Sequence, residues 1–415
     1  MEPMARSFSA SFPERFRTEN LGGRNVTRNL VRIGSVALIL IVASVAQSQT
    51  FSVLYSFGDS PDGINPQAAL IPDGQGGAYG TTFYGGAHGY GALFRLDHTG
   101  KESIVYSFAG PPDGGNPAGN LVRDAAGNIY GATVWGGVSD SGAVFKVDAS
   151  GLESVLYSFK GGTTDGANPE GGVIEDSAGN LYGTTAAGGS MAGCANYGCG
   201  IVFEIDPSGN ETMLYSFSGD TQYGVIDGAN SWSTLLRDAA GNLYGATSLG
   251  GAAGFGTVFE VDNTGKETLI HSFLGPEGAY PYAGLVGDAA HNLYSTAYEG
   301  GTSHVGTIFK MAKGGAVTVL HNFGGGSDGA FPSAGVVRDA AGNLYGVTTQ
   351  GGPVNVGTVF KLDTSGNETV LHSFTGGNQG MAPEAGLILD KAGNIYGTTY
   401  DGGKADNGIV FKLTP

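Results

Sequence analysis

Side chains that could do acid–base chemistry are concentrated in the fifth of seven sequence repeats, the copy that departs most from the common pattern. Glu277, Glu299 and His304 supply two carboxylates and an imidazole, the groups that general acid–base catalysis uses. Divergence of one repeat is the simpler explanation, because the chain has no Ser-His-Asp order, metal-ligand spacing or phosphate-binding loop. We therefore assign no catalytic residue. An extracellular lyase or hydrolase centred on these three residues is kept as an alternative.

Repeated oxygen ligands form a second candidate set, in loops that read Asp-Gly-x-Asn-Pro or a variant of it. Their acidic residues are Asp62, Asp113, Asp165, Asp227 and Asp328. Calcium takes six to eight oxygen ligands, so a repeated carboxylate could serve it. Asp-Gly and Asn-Pro are also ordinary turn formers, and the loops lack the alternating ligands of an EF-hand. We expect turns and no metal cofactor, with calcium binding as the alternative.

Aromatic residues beside paired glycines, or in the neighbouring loops, form the third candidate set. They are Tyr84, Trp135, Trp232, Tyr280, Tyr298 and Tyr400. Exposed aromatic rings beside acidic and amide groups suit stacking on a sugar or anchoring a protein partner. Packing of the same rings against an adjacent repeat is the alternative. These residues define the predicted ligand-binding face.

The candidates are set in seven copies of one repeat of roughly fifty residues, a period typical of repeat arrays and propellers. Each copy carries an aromatic triplet, and the triplets end at Phe57, Phe108, Phe159, Phe217, Phe273, Phe323 and Phe374. The sixth copy, from Ala334 to Phe374, contains four segments rich in β-branched and aromatic residues, separated by glycine-bearing breaks. Four such strands make one propeller blade. The sequence therefore predicts an all-β, seven-bladed β-propeller with four antiparallel strands per blade.

The turns and the chain order predict how the blades are built and closed. An Asp-x-x-Gly-Asn phrase separates the first two strands of a blade, as at Asp339–Asn343, and we interpret its aspartate as a turn residue. Small residues at the start of the first strand suit the crowded axis. Blades are expected at about 68–108, 118–159, 170–217, 232–273, 283–323, 333–374 and 384–413. The segment 51–57 would supply the fourth strand of the last blade and close the ring.

The N-terminal segment and the composition predict where the protein works. Six arginines precede an apolar stretch from Ile33 to Ala46, as in a secretory signal peptide comprising residues 1–46; a retained anchor is the alternative. Cys194 and Cys199 would form a local disulfide in an exported chain. The formal net charge is −17, which disfavours nucleic acid and anionic lipid as partners. Residues 47–415 are left as one propeller domain.

The recurring phrases resemble a known family. Gly-Asn-Leu-Tyr-Gly-Thr-Thr at 179–185, the pair Gly351-Gly352 and Gly-Thr-Val-Phe-Lys-Leu at 357–362 are similar to the GloVer tandem repeat of exported bacterial "choice-of-anchor" proteins. The resemblance covers essentially all of residues 51–415. It implies a secreted, periplasmic or surface protein of a bacterium, and it supplies no catalytic residues.

Taken together, these features predict a binding scaffold that uses the variable loops on one face of the propeller. An extracellular glycan or protein is the expected partner, and no membrane insertion is expected after cleavage of the leader. The enzyme centred on the fifth repeat and a purely structural cell-surface protein are the alternatives.

Overall fold

The computed structural model describes residues 49–194, 197–219 and 227–414. Within them the chain forms seven four-stranded antiparallel sheets, each of them one blade of a propeller. The predicted all-β, seven-bladed fold is confirmed. The predicted leader, residues 1–46, lies outside the described residues. Among those that are described, none belongs to a helix long and apolar enough to cross a membrane.

Every blade has its first strand at the axis and its fourth at the rim, and in all but the second blade the axial strand is the shorter of the two. The first three blades have the strands Ile71–Pro72, Ala78–Thr82, Ala92–Leu96, Glu102–Ser107; Gly114–Arg123, Ile129–Gly136, Ala143–Val147, Glu153–Ser158; and Val173–Glu175, Leu181–Thr184, Ile201–Ile205, Glu211–Ser216. Outside the second blade the axial strand is only two or three residues long, shorter than the sequence predicts.

The remaining blades repeat this arrangement. Blades four, five and six have the strands Leu236–Arg237, Leu243–Thr247, Thr257–Val261, Glu267–Ser272; Val286–Gly287, Leu293–Ala297, Thr307–Met311, Val317–Asn322; and Val337–Arg338, Leu344–Thr348, Thr358–Leu362, Glu368–Ser373. The seventh has Ile388–Leu389, Ile395–Thr399, Ile409–Thr414 and the N-terminal strand Thr50–Ser56. Minor elements are the two-residue strand pairs Gly63–Ile64 with Tyr84–Gly85, Gly166–Ala167 with Ala187–Gly188, and Gly228–Ala229 with Leu249–Gly250, and the 3-10 turns Gly326–Asp328 and Gly377–Gln379.

The ring closes as the sequence predicts. Thr50–Ser56 pairs antiparallel with Ile409–Thr414, with Phe51 opposite Leu413. A register shift between Val53 and Tyr55 matches the shift found between the third and fourth strands of the other blades. The N-terminal strand therefore takes the same place in the last blade that Glu368–Ser373 takes in the sixth.

Pairs of phenylalanines hold neighbouring blades together. The last residue of each aromatic triplet packs edge to face against a phenylalanine on the third strand of the following blade, with ring centroids 5.1 Å apart for Phe57 and Phe94 and 4.9 Å for Phe108 and Phe145. Both rings of each pair are inaccessible to solvent. Edge-to-face contact adds about 0.5–1.5 kcal/mol per pair to the burial of the rings. Seven such contacts run around the ring.

Hydrogen bonds explain the repeated turn aspartates without any ligand. Oδ1 of Asp339 accepts the Asn343 N–H at 2.8 Å, while Oδ2 accepts the Asn343 amide at 2.7 Å and the Tyr345 hydroxyl at 3.1 Å. Burial acts to raise the pKa of Asp339, but the Asn343 and Tyr345 hydrogen bonds hold it below its usual value. The geometry shows the turn role that the sequence predicts for these aspartates. The hydrogen bond from Tyr345 also holds the second strand of the blade to the turn.

Candidate ligand-binding site

A cavity of about 920 Å³ lies where the axial strands of the blades converge. One position of the repeat, directly after the recurring Asn-Pro or its variant, contributes a side chain to its wall from every blade. These residues, which we call the axial ring, are Gln67, Ala118, Glu170, Trp232, Tyr282, Ser333 and Glu384. The position holds seven residues of six different types, whereas the proline before it occurs in six of the seven copies. The fold therefore presents a varied set of side chains on a constant frame.

A left-handed residue two positions earlier turns the chain towards the axis in every blade. Asn65, Asn116, Asn168 and Asn230 have φ between 56° and 60°, a conformation that asparagine tolerates better than most residues. The Asn65 and Asn116 side-chain amides each donate to a backbone carbonyl of the adjacent blade at 2.9 Å. The later copies keep the conformation with other residues, Tyr280, Phe331 and Ala382. Backbone hydrogen bonds, such as Tyr280 N–H to the Phe255 carbonyl at 2.9 Å, hold it there.

Two carboxyl groups enter the cavity from opposite parts of the repeat array. Burial raises the pKa of Glu170 to about 7, so this side chain is partly protonated near neutral pH. Burial also raises the pKa of Glu384, against a hydrogen bond that the Gln67 amide donates at 3.3 Å. Asn120 and Asp401 add further polar groups to the wall. This part of the site can both donate and accept hydrogen bonds.

Aromatic rings from the fourth and fifth blades form another part of the wall. The rings of Trp232 and Tyr282 have centroids 5.2 Å apart, and those of Tyr282 and Tyr298 lie 5.3 Å apart. Trp232 is 42% exposed, so much of its surface remains open to a ligand. Among the described residues that line the cavity there is no lysine or arginine. Rings combined with carboxyl and amide groups, without a cation, suit a neutral polyhydroxylated ligand such as a sugar.

The structure divides the six aromatic residues predicted for the binding face. Trp232 and Tyr298 line the cavity. Tyr84 and Trp135 are 44% and 46% exposed and lie outside its lining. Tyr400, also outside the lining, is close enough to Glu384 and Tyr84 for both to add to the burial that raises its pKa.

Tyr280 packs edge to face against Phe255, with centroids 5.8 Å apart, and is likewise absent from the cavity wall. The predicted face thus contains one cluster at the axis and separate rings around it.

The three acid–base candidates of the fifth repeat are not brought together in the cavity. Glu277 accepts the Leu274 N–H at 2.9 Å and contacts His271 Nε2 at 3.3 Å, in a loop between blades. Glu299 pairs through its backbone with Ala279. His304 is exposed, with a φ of 59°. None of the three candidates lines the axial cavity.

The predicted oxygen ligands of the Asp-Gly loops accept hydrogen bonds from their own loop and from the preceding rim strand. Asp165, only 3% exposed, accepts the Tyr157 hydroxyl at 2.9 Å, the Lys160 N–H at 2.9 Å and the Gly166 N–H at 2.7 Å. Asp62, Asp113 and Asp227 accept the same set from Tyr55, Tyr106 and Tyr215 and from two backbone N–H groups each. The geometry assigns these carboxylates to the contacts between blades. We call each such contact an outer interface.

A glutamate of the following blade faces the loop carboxylate at five outer interfaces. These rim glutamates are Glu102, Glu153, Glu211, Glu267 and Glu368. Burial, followed by the charge of the facing aspartate, raises the pKa of each to about 7. One carboxyl oxygen of each is shielded from solvent and has no hydrogen-bond partner. Five outer interfaces therefore combine a tyrosine or histidine, a loop aspartate and a rim glutamate.

The two cysteines form a disulfide, Cys194–Cys199, with an S–S distance of 2.06 Å. It lies in the loop between the second and third strands of the third blade, and Cys199 is fully buried. A β-carbon at Gly219 would come within 2.6 Å of Cys194 Sγ and 2.7 Å of Cys199 Sγ, so the bridge packs closely on the next connection.

Sequence reasoning found only Trp232 of the axial ring and missed the other six residues, Gln67, Ala118, Glu170, Tyr282, Ser333 and Glu384. A signal was present. The position after the recurring Asn-Pro varies in chemical type between copies, while the residues around it are nearly constant. Variation at one position of an otherwise regular repeat is what a ligand-facing residue would show.

Comparisons with known proteins place these features in context. The profile described as the Gloeobacter/Verrucomicrobia repeat matches residues 40–229 and 195–411. No curated protein matches the sequence. Among solved structures, an extracellular domain assigned to a one-component system of B. thetaiotaomicron has a TM-score of 0.54 at 10% identity, covering 88% of this chain. This chain spans 40% of the length of that structure.

Two further solved structures are similar at lower scores. A gluconolactonase from Xanthomonas campestris has a TM-score of 0.44 at 13% identity, covering 88% of this chain and 98% of its own. A protein of unknown function from Bacteroides thetaiotaomicron has a TM-score of 0.45 at 12% identity, covering 88% and 76%.

Proposed function

The chain belongs to the Gloeobacter/Verrucomicrobia repeat family, and from that premise we propose that it is an exported binding scaffold whose axial cavity takes an extracellular glycan. The family predicted from the recurring phrases is thereby confirmed. The axial ring is the observation that carries the proposal, because it varies at one position while the frame around it stays constant. The fold places little constraint on this position, so its side chains are free to be set by a ligand.

The chemistry of the wall supports a neutral sugar in preference to other ligand classes. Trp232 and Tyr282 offer ring faces on which the apolar face of a pyranose can stack. Glu170, Glu384 and Gln67 offer acceptors and donors for its hydroxyl groups. An anionic ligand such as a phosphate would meet three carboxyl groups, those of Glu170, Glu384 and Asp401, and no lysine or arginine among the described lining residues. Export is supported by the predicted leader and by the disulfide.

The test is binding of the protein to an array of neutral glucans, galactans, xylans and mannans, followed by calorimetry with the best oligosaccharide. Removing an aromatic anchor of a binding site costs about 1.4 kcal/mol or more, so Trp232→Ala should weaken binding by roughly tenfold or more. Glu170→Gln should also weaken it. Trp135→Ala is the matched control, since Trp135 is as exposed as Trp232 but lies outside the cavity. No binding on the array, or an equal loss in the Trp135 variant, would refute a glycan site at the axis.

Glu170 also favours a second candidate, a lyase or hydrolase acting in the same cavity. A carboxyl group with a pKa of about 7 can donate a proton near neutral pH, and Glu384 offers a second carboxyl group for the base. Incubation with the bound oligosaccharide separates the two functions. An enzyme would release new reducing or unsaturated ends and lose this activity in Glu170→Gln, whereas a binding scaffold would leave the oligosaccharide intact. A purely structural protein would bind no member of the array.

A further inference from the structure

The residue types at the outer interfaces differ between the first four and the last three along the chain. Four of them combine a rim tyrosine, a loop aspartate and a rim glutamate. In the last three the tyrosine is replaced by histidine, and in two of these the loop aspartate and the rim glutamate are replaced as well. The three sets are His271, Glu277, Val317; His321, Asp328, Glu368; and His372, Gln379, Phe51. Only the middle set contains three side chains that can each coordinate a metal ion.

The geometry of this middle set is that of a small coordination site between the fifth and sixth blades. His321 Nε2 lies 3.1 Å from Asp328 Oδ1. One ligand atom each from His321, Asp328 and Glu368 lie within 4.8 Å of one another. The His321 and Asp328 side chains are 18% and 26% exposed, so the site is reachable from solvent. Oε1 of Glu368 is shielded from solvent and has no hydrogen-bond partner, which leaves a lone pair available for a ligand.

We propose that His321, Asp328 and Glu368 bind one divalent first-row transition ion, Zn²⁺ in the first place, as a clasp between the fifth and sixth blades. The ion would take the place of the proton shared between His321 Nε2 and Asp328 Oδ1. This site differs from the calcium loops considered from the sequence, because one ligand is an imidazole and the three come from two blades.

The donor set selects the class of ion. One imidazole nitrogen and two carboxylate oxygens suit zinc and its neighbours, whereas calcium takes six to eight oxygen ligands. Zinc–ligand bonds of about 2.0–2.2 Å place neighbouring ligand atoms roughly 3.3–3.5 Å apart in a tetrahedron, close to the His321–Asp328 separation. The Gly324 N–H donates to Oδ2 of Asp328, which fixes the carboxylate with Oδ1 turned towards His321. Solvent would fill the fourth position.

The two other histidine interfaces serve as internal comparisons. His271 has an acid partner, Glu277, at 3.3 Å, but Val317 occupies the position of the rim glutamate. His372 stacks on Phe51 with ring centroids 3.8 Å apart, and Gln379 stands where the other loops carry an acid. Burial lowers the pKa of His372 to about 4, as expected for an imidazole without a carboxylate partner. Of the three histidine interfaces, only that of His321 therefore has both an acidic loop residue and a rim glutamate as ligands.

The experiment is a calorimetric titration of ZnCl₂ into the full-length protein, prepared without a histidine tag and stripped with EDTA. We expect one equivalent to bind. His321→Tyr restores the tyrosine of four other interfaces, and Glu368→Val copies the natural residue of the fourth-to-fifth interface, so both variants should fold. Each should weaken binding by at least the ~10-fold that loss of an outer-shell partner costs at metal sites. His271→Tyr is the matched control and should bind as the wild type does.

Two further measurements keep the result decisive. Cobalt(II) should give visible ligand-field absorption with the wild type and with His271→Tyr, but not with His321→Tyr. Zinc should raise the melting temperatures of the wild type and of His271→Tyr and leave that of Glu368→Val unchanged. The proposal is overturned if no equivalent binds, if both site variants bind like the wild type, or if His271→Tyr loses binding equally. Because the axial cavity is a separate site, none of these outcomes bears on glycan binding.

Discussion

The contact between the second and third blades gives a quantitative prediction for Asp165→Asn. The amide keeps one acceptor oxygen, which serves the Gly166 N–H, but its nitrogen cannot accept the bonds that now reach Oδ2 from the Tyr157 hydroxyl and the Lys160 N–H. Burial, followed by the hydrogen bond to Asp165, raises the pKa of Tyr157, so that hydroxyl remains a donor throughout the accessible pH range. In the variant the Tyr157 hydroxyl and the Lys160 N–H therefore both face the asparagine NH₂ group, which is itself a donor.

The size of the effect follows from the two lost bonds. Hydrogen bonds to a charged group contribute about 1.5–3 kcal/mol each, and taking the lower value gives a loss of roughly 3 kcal/mol in the free energy of unfolding. For a domain of this length the entropy of unfolding is about 0.8 kcal/mol per degree, so the melting temperature should fall by roughly 4 °C. Tyr157→Phe removes one of the two bonds and should cost about half as much.

Asp148→Asn, in a turn of the second blade, is the matched control, measured by calorimetry under the same conditions. The Asp148 carboxylate accepts three hydrogen bonds, from the Ser150 N–H, the Ser150 hydroxyl and the Leu152 N–H, and all three reach Oδ1. The side-chain oxygen of an asparagine can accept the same three bonds. We expect its melting temperature to match the wild type. The reasoning is refuted if Asp165→Asn melts within a degree of the wild type, or if the two variants lose the same amount.

Three further predictions concern pH, the axis and the core. The rim glutamates have pKa values raised to about 7, so the folded protein holds protons that the unfolded chain releases above about pH 4.5. The free energy of unfolding should therefore fall as pH rises from 4.5 to 7. Glutamine in place of Glu102, Glu153 and Glu211 should make the melting temperature less dependent on pH across that range. Gly335→Ala places a β-carbon 2.6 Å from the Gly284 carbonyl oxygen and should cost about 1–3 kcal/mol by denaturant unfolding. Gly386→Ala, whose β-carbon would sit 3.5 Å from that of Ala69, should be tolerated, and equal losses would contradict crowding at the axis. Phe203→Ala empties a fully buried position at the contact with Phe159 and should cost about 3–5 kcal/mol in the same assay, whereas a loss below 1 kcal/mol would mean that the blades do not depend on these pairs.

The fold was predictable because each level of the sequence pattern pointed to the same arrangement. Strand composition, turn residues and the offset of the first aromatic triplet each required seven four-stranded blades with a borrowed last strand. Thr50–Ser56 completes the final blade as that offset demands.

The candidate site was only partly predictable, for a different physical reason. Periodicity identifies the residue types that the fold requires. An acid at the position of Glu170 and Glu384 does not recur in every repeat, because the fold does not require an acid there. Tyr298 lines the cavity, whereas Tyr400, at the same position relative to its paired glycines, does not. Spacing from the glycines therefore does not identify the aromatic residues of the cavity. The rim histidines stand where other repeats have a tyrosine, and only side-chain positions show that such a histidine touches a loop acid, as His321 touches Asp328.

Closure of the ring has a consequence for the rate of folding. The strand that contains Ser52 is synthesised first, yet its partner residue Lys412 follows 360 positions later, whereas typical contacts within a blade, such as Val138 with Ser158, span 20. Each doubling of a closed loop costs about 0.6 kcal/mol of chain entropy, so this pairing costs roughly 2.5 kcal/mol more than a local one. The last blade should therefore be completed only after the other six have shortened the effective distance between the two strands. Pairing of this strand with its partner would then be the slowest step of refolding.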